Sequence, residues 1–331
     1  MNQELENIWL TVPEVANDPA ISSSVKKFLA SINSGAAGLE TLPVKDAREA
    51  LSAIQAAVTF DYSGISEMER EIVADGYALR INVVRPVGAT GNLPAFVFVH
   101  GGGWVLGDYP THKRMLRDLV LLTGAAGIFL NYTRSPEARY PQAVNEIYAA
   151  TKWVAQHGAE IHVDGNRLAI VGNSVGGNMA AVTALKALEN NGPIIKGLVL
   201  FWPIVAAEFD NESYERFGKD RFLTTPLMKW MYNHYTKDEA QRQEIYASPI
   251  NATLKQLKGF PPTLIQVAEA DVLRDEGEAF GRKLDEAGVT VTTVRYNGMI
   301  HDFGLLNPLA ELPQVKTLFR HAAAELNKYL Q

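Results

Sequence analysis

The stretch Ala169-Ile170-Val171-Gly172-Asn173-Ser174-Val175-Gly176-Gly177-Asn178-Met179-Ala180-Ala181 constrains this chain more than any other. The apolar run from Leu168 to Val171 suits a strand covered on both faces, and Met179 to Leu188, rich in Ala, Leu and Met, suits a helix. Ser174 therefore falls where the strand becomes a helix. Gly172 and Gly176 flank it at the two places where a sharp turn would press a Cβ into neighbouring backbone, which is the physical content of Gly-x-Ser-x-Gly. Such a turn lifts the hydroxyl out of the sheet and sets a helix N-terminus beside it. Five residues alone also fit an ordinary glycine-rich turn, so the rest of the chain has to decide.

Short strands and helices alternate from Arg70 onward. Arg70 to Val73 and Leu79 to Val87 read as an antiparallel pair about Asp75-Gly76. Strands follow at Pro94–Val99, Ala126–Asn131, Leu168–Val171, Gly197–Trp202, Thr263–Ala268 and Thr290–Tyr296, with helices near His112–Leu122, Gln142–His157 and Pro313–Tyr329. This rhythm predicts an α/β fold with a mostly parallel sheet and helices on both faces. Residues 1 to about 60, with Pro13, Pro19 and Pro43, read as a helical preamble without catalytic groups, helical at Ser23–Ile32 and Val44–Val58. Residues 205 to about 258 break the rhythm, for they contain no strand and are dense in aromatics. A helical insertion beyond the carboxyl ends of the strands reads as a lid. Phe209, Phe222, Trp230 and Tyr235 are its candidate pocket walls, together with Trp104, and spacing alone does not say which of them point inward.

Composition removes several classes of function. The chain has no cysteine, which excludes disulfides, thiolate zinc sites and a Cys nucleophile. A net charge of -6 with both signs interspersed offers no basic face for nucleic acid. The start, Met1-Asn2-Gln3-Glu4-Leu5-Glu6, is polar and acidic, and no apolar run reaches the roughly 18 residues of a membrane span. No signal peptide and a cytoplasmic location are the expectations.

A Ser hydroxyl is a poor nucleophile at neutral pH, so Ser174 needs a base and the base an orienting acid. Of seven histidines, His301 leaves the carboxyl end of the last strand. His157, His162 and His321 have polar surroundings, His234 lies in the lid, and His100 precedes glycines. Asp271 occupies the matching place after the preceding strand, giving the chain order Ser, Asp, His of α/β-hydrolase sheets. Asp275 and Glu276 are better explained by the positive end of the helix that follows them. Asp302 is the weaker rival, being next to His301 and badly placed for the far ring nitrogen. His100-Gly101-Gly102-Gly103-Trp104 supplies backbone N–H groups for a developing oxyanion, and the N–H of Val175 comes from the helix start. A phosphate cradle is the other use of such glycines, but no Gly-Lys-Ser/Thr or Gly-x-Gly-x-x-Gly accompanies them.

Together, His100-Gly-Gly-Gly-Trp104, Gly172-Asn-Ser-Val-Gly-Gly177, Asp271-Val-Leu-Arg-Asp-Glu-Gly277 and His301-Asp-Phe303 resemble the hormone-sensitive-lipase-like bacterial carboxylesterases. Asn131 to Glu137 with Tyr140-Pro141 is similar to that family's Tyr-Arg-Leu-Ala-Pro-Glu segment. The resemblance implies an α/β-hydrolase fold with an eight-stranded sheet. Its core would span 66–204 and 259–331, under a cap built from 1–65 and 205–258. It implies Ser174 as nucleophile, His301 as base, Asp271 as orienting acid, and Gly102, Gly103 and Val175 as oxyanion donors, with no cofactor or metal. His100 matches a histidine that shapes the loop. The expected partner is a small ester with a short or medium acyl chain, and a homodimer through the sheet edge fits. The same machinery would serve a lactonase, thioesterase or amidase. Receptors of this fold have lost the histidine that His301 retains. Asn173, Val175 and Asp302 depart from the family's usual Asp, Ala and Gly, which leaves pocket shape and pH optimum open.

Overall fold

The computed structural model describes residues 14–34 and 37–331, so the polar start at Met1–Glu6 and Pro13 lie outside the described residues. Eight strands form one sheet: β1 (Ile65–Ala74), β2 (Tyr77–Pro86), β3 (Leu93–Val99), β4 (Ala126–Asn131), β5 (Val163–Asn173), β6 (Leu198–Phe201), β7 (Thr263–Ala270) and β8 (Val291–Ile300). Their order is β1-β2-β4-β3-β5-β6-β7-β8, with β2 antiparallel to both neighbours and the remaining pairs parallel. The interior strands β3 and β5 are buried residue after residue near their carboxyl ends, as strands covered on both faces must be.

The helices are α1 (Ser23–Ile32), α2 (Val44–Ala56), α3 (Tyr109–Thr123), α4 (Gln142–His157), α5 (Val175–Glu189), α6 (Glu212–Phe217), α7 (Thr225–Tyr235), α8 (Glu239–Arg242), α9 (Leu254–Leu257), α10 (Arg274–Glu286) and α11 (Pro313–Tyr329). Against the sheet, α3 pairs with α11 and α4 with α5. None of these helices is long and apolar enough to cross a membrane, among the described residues.

Strand order locates the crevice. After β3 the chain steps to one side to form β4 and then to the other to form β5, so the carboxyl ends of β3 and β5 lie side by side with diverging connections. That is the topological switch point at which open α/β sheets bind ligands.

Of the boundaries that differ from the sequence reading, three bear on the site or the sheet edge. β1 begins at Ile65, because Ser66 to Glu69 are exposed and show no alternation, yet each has a partner on β2. β5 begins at Val163, ahead of Leu168. β8 runs on through Asn297-Gly298 to Ile300, where the register with β7 shifts at Ala268/Ala270. His301 is consequently the first residue beyond the strand.

The insertion contains α6 to α9 and no strand, and the N-terminal segment packs on it. Buried Asp18 and Arg221 form an ion pair at 2.7 Å, and the Asn33 side chain donates to the Asp220 carbonyl. From the other side, α2 grips the core: Arg48 donates to the carbonyls of Val105 and Ser135, and Gln55 donates to those of Thr111 and Leu305.

Candidate active site

Ser174 has φ 55° and ψ −122°, a backbone conformation that L-residues rarely adopt and that costs on the order of 1–3 kcal/mol. The surroundings hold it there. Its N–H donates to the Phe201 carbonyl, while its own carbonyl accepts from Asn178 and Ile204. The flanking glycines are needed for space, since a Cβ on Gly172 would collide with the Gly176 carbonyl and one on Gly176 with that of Val99.

The loops after β5, β7 and β8 converge on the hydroxyl. His301 Nε2 is 3.0 Å from Ser174 Oγ, and His301 Nδ1 is 2.8 Å from an Asp271 carboxylate oxygen. All three side chains are nearly fully buried. The second Asp271 oxygen accepts from the Leu273 N–H, which fixes the carboxylate plane. A proton on Nδ1, facing Asp271, leaves Nε2 to accept from the serine. Burial works against the charged form of His301, but the charges of Asp271 and Asp302 and the hydrogen bond to Asp271 outweigh it and raise the pKa above 6.5.

Gly102 and Gly103 lie in the loop that follows β3, and Val175 is the first residue of α5; among the described residues no backbone hydrogen bond from their N–H groups is found. Gly102 and Gly103 have φ of 106° and 62°, conformations suited to glycine, and the Gly102 carbonyl accepts from Val105 and Leu106. Gly101 donates to the Asn173 side chain. His100 stacks on Tyr132 and Phe129 and bonds through Nδ1 to the Gly101 carbonyl. Burial drives its pKa well below the usual value, so it supports the loop as a neutral ring.

The aromatic candidates divide. Trp104 stacks on Tyr235 at 4.0 Å and meets Tyr232 edge-on, and Tyr232 in turn meets Phe209. This cluster packs beside the glycine loop that follows β3, since a Cβ on Gly103 would strike Met231 of α7. The ring partners of the other two lie elsewhere: Phe222 packs toward Phe28 of α1, and Trp230 on His234 of its own helix. Sequence reasoning missed Met231 and Tyr232. Their i and i+4 spacing from Leu227 and Met228 on α7 was the available signal.

Glu276 also carries more than its place at a helix start implied. One carboxylate oxygen accepts from the N–H groups of Val205 and Ala206, where the chain leaves β6 for the insertion. Asp275 accepts from the N–H of Ser213 at the start of α6.

A serine on a tight strand-to-helix turn, at the switch point of a mostly parallel sheet, defines an α/β-hydrolase, and the Abhydrolase_3 family, described as alpha/beta hydrolase fold, matches residues 96–305. The chain belongs to the hormone-sensitive-lipase-like carboxylesterase family of α/β-hydrolases and is a carboxylic ester hydrolase. It is 37% identical over 308 residues to a putative alpha/beta hydrolase of Acanthamoeba polyphaga mimivirus, covering 93% of this chain and 88% of that one. It is 30% identical to an ethyl acetate hydrolase of Pseudomonas putida over 72% of this chain and 75% of the relative. The crystal structure of a thermostable esterase from Pseudomonas putida superposes with a TM-score of 0.94 at 55% identity, covering 95% of this chain and 99% of that one.

Proposed function

We propose that the protein hydrolyses short- to medium-chain acyl esters by covalent catalysis at Ser174. The observation that carries this reading is the continuous contact from Ser174 Oγ through His301 to Asp271, at 3.0 and 2.8 Å. His301 takes the serine proton as Oγ attacks the ester carbonyl, and Asp271 orients the ring and stabilises the imidazolium. The carbonyl oxygen gathers negative charge between the N–H groups of Gly102, Gly103 and Val175. Collapse breaks the bond to the alcohol, which leaves with the proton from His301. Water then adds to the acyl carbon as His301 takes its proton, and the bond to Oγ breaks as His301 returns that proton to Ser174, releasing the acid and the free enzyme.

The short-chain preference rests on the packed aromatic cluster of Trp104, Tyr232, Tyr235 and Phe209 above the oxyanion loop, and on the ethyl acetate hydrolase among the relatives. The N-terminal helices and the 205–258 insertion act as the cap over that site. A fluorophosphonate probe followed by peptide mass spectrometry tests the nucleophile. One adduct is expected, on Ser174, and Ser174→Ala should keep the melting temperature while losing activity by at least roughly 10³-fold. An adduct on another serine, with Ser174→Ala still active, contradicts the reading.

A further inference from the structure

Resting on the assignment of His301 as base, the geometry points to Asp302 as a positioning residue for the same reaction: Trp202 and Asn173 lock its carboxylate so that it faces the nitrogen that receives the serine proton. One oxygen of Asp302 accepts from the Trp202 indole N–H at 2.7 Å and from the Asn173 amide at 3.2 Å. The other lies 3.8 Å from His301 Nε2. At that distance it does not compete with Ser174 for a hydrogen bond. It acts as a charge. It repels the lone pair of the neutral ring and attracts the proton of the imidazolium, so it favours proton acceptance at the atom where the proton arrives.

The network also ties the base to the oxyanion loop. Asn173 donates to Asp302 and, through its carbonyl oxygen, accepts from the Gly101 N–H at 2.9 Å. Asp302 and the start of the glycine loop are thus positioned through one amide side chain.

The backbone of this turn does not itself call for a carboxylate. The turn after His301 is held by the Asp302 backbone carbonyl, which accepts from Leu305 and Leu306, and by φ 58° at Asp302, a conformation that asparagine and glycine adopt readily. The charged groups facing the imidazole are Asp271, from the loop after β7, and Asp302. Trp202, at the end of β6, presents its ring at 6.3 Å. His112 of α3 lies 3.4 Å from the Asn173 amide, and burial lowers its pKa to about 4, so it brings no charge at neutral pH.

The test is the pH profile of kcat/KM for p-nitrophenyl acetate in the wild type, Asp302→Asn and Asp302→Gly. Both substitutions keep the left-handed backbone, and the second serves where the first does not fold. The acidic limb should move to lower pH by about one unit in each, the low end of what an opposite charge at this range produces, with kcat on the plateau several-fold lower. A limb that stays in place in the folded variants overturns the proposal, since a merely structural loss would lower the plateau without moving the limb. Ser174→Ala separates the two levels. If it is inactive while the limb stays in place, this proposal alone fails, and if it is active the assignment of the site fails.

Discussion

A β-carbon on Gly176 would overlap the carbonyl oxygen of Val99, so the first turn of α5 is pressed against the end of β3. This contact sets the start of α5 beside the point where the glycine loop leaves β3. Backbone meets backbone there, and no flexible side chain can yield. Gly176→Ala is therefore expected to cost on the order of 3 kcal/mol, the upper range for overpacking. Thermal denaturation should show a melting temperature several degrees lower, together with reduced activity. A variant as stable as the wild type would show that the turn is looser than this packing implies.

Asp271 and Asp275 are four residues apart, yet only Asp271 reaches His301. Asp275 accepts from the N–H of Ser213 and pairs with Arg274. Asp271→Asn should lower kcat by roughly 10³- to 10⁴-fold with little change in KM, as loss of the orienting acid does in serine hydrolases. Asp275→Asn should leave kcat within a few-fold and reduce thermal stability. In the wild type, kcat/KM should rise with pH through a pKa above 6.5 and then level off, because only neutral His301 accepts the proton. The reverse ranking of the two variants would reassign the acid.

Burial pushes the Glu276 carboxyl up to about 8, even though the N–H groups of Val205 and Ala206 favour its charged form. A glutamate in the unfolded chain titrates near 4.5. Between these values the native protein holds a proton that the unfolded chain has released, so the contribution is complete below about 4.5 and declines as pH rises through about 8. The slope reaches at most about 1.4 kcal/mol per pH unit. His301, also raised, adds a decline of the same sign above its unfolded value. Comparison of wild type with Glu276→Gln isolates the glutamate: denaturation curves from pH 5 to 8.5 should show a shallower fall in the variant. Equal slopes would place the carboxyl in its ordinary range.

What could be read from the sequence follows from how local its cause is. Ala126–Asn131, Gln142–His157 and Pro313–Tyr329 have the same bounds in sequence and structure, because an apolar run or a helical period is complete within each segment. Ser174, Asp271 and His301 stand out because each follows a strand and the strand order brings the three loops together. The Asn173–Asp302 contact spans 129 residues and has no local signature. Arg48 and Gln55 look like polar positions on an amphipathic helix until α2 is docked, when they prove to hold the segment after the glycine loop, at Val105, and the turn after His301. Gly298 looks like a turn, but β7 holds β8 in the sheet beyond it. Glu276 has a sufficient local explanation at its helix start, which conceals the longer-range contact to Val205.

Val175 is the first residue of α5, fully buried, and follows Ser174 directly. Its β-branched side chain has little χ1 freedom in a helix, so it cannot swing clear of an acyl group bound at Ser174. The glycine loop after β3, with Met231 packed on Gly103 and Trp104 stacked on Tyr235, is the proposed opposite wall. Each acyl methylene buried between these walls should contribute at most about 0.8 kcal/mol, roughly fourfold in kcat/KM, until the space is filled. Beyond that point further methylenes clash or remain in water, and the gain reverses. A panel of p-nitrophenyl esters should therefore show a maximum at acyl chains of roughly two to six carbons, the scale of a small closed pocket. Activity on long-chain triglycerides should be low and should not jump at the oil interface. Val175→Ala should move the maximum toward bulkier acyl groups, with KM for acetate esters rising as contact is lost. A maximum at ten or more carbons, or an unchanged profile in Val175→Ala, would mean that the acyl chain lies against a different wall.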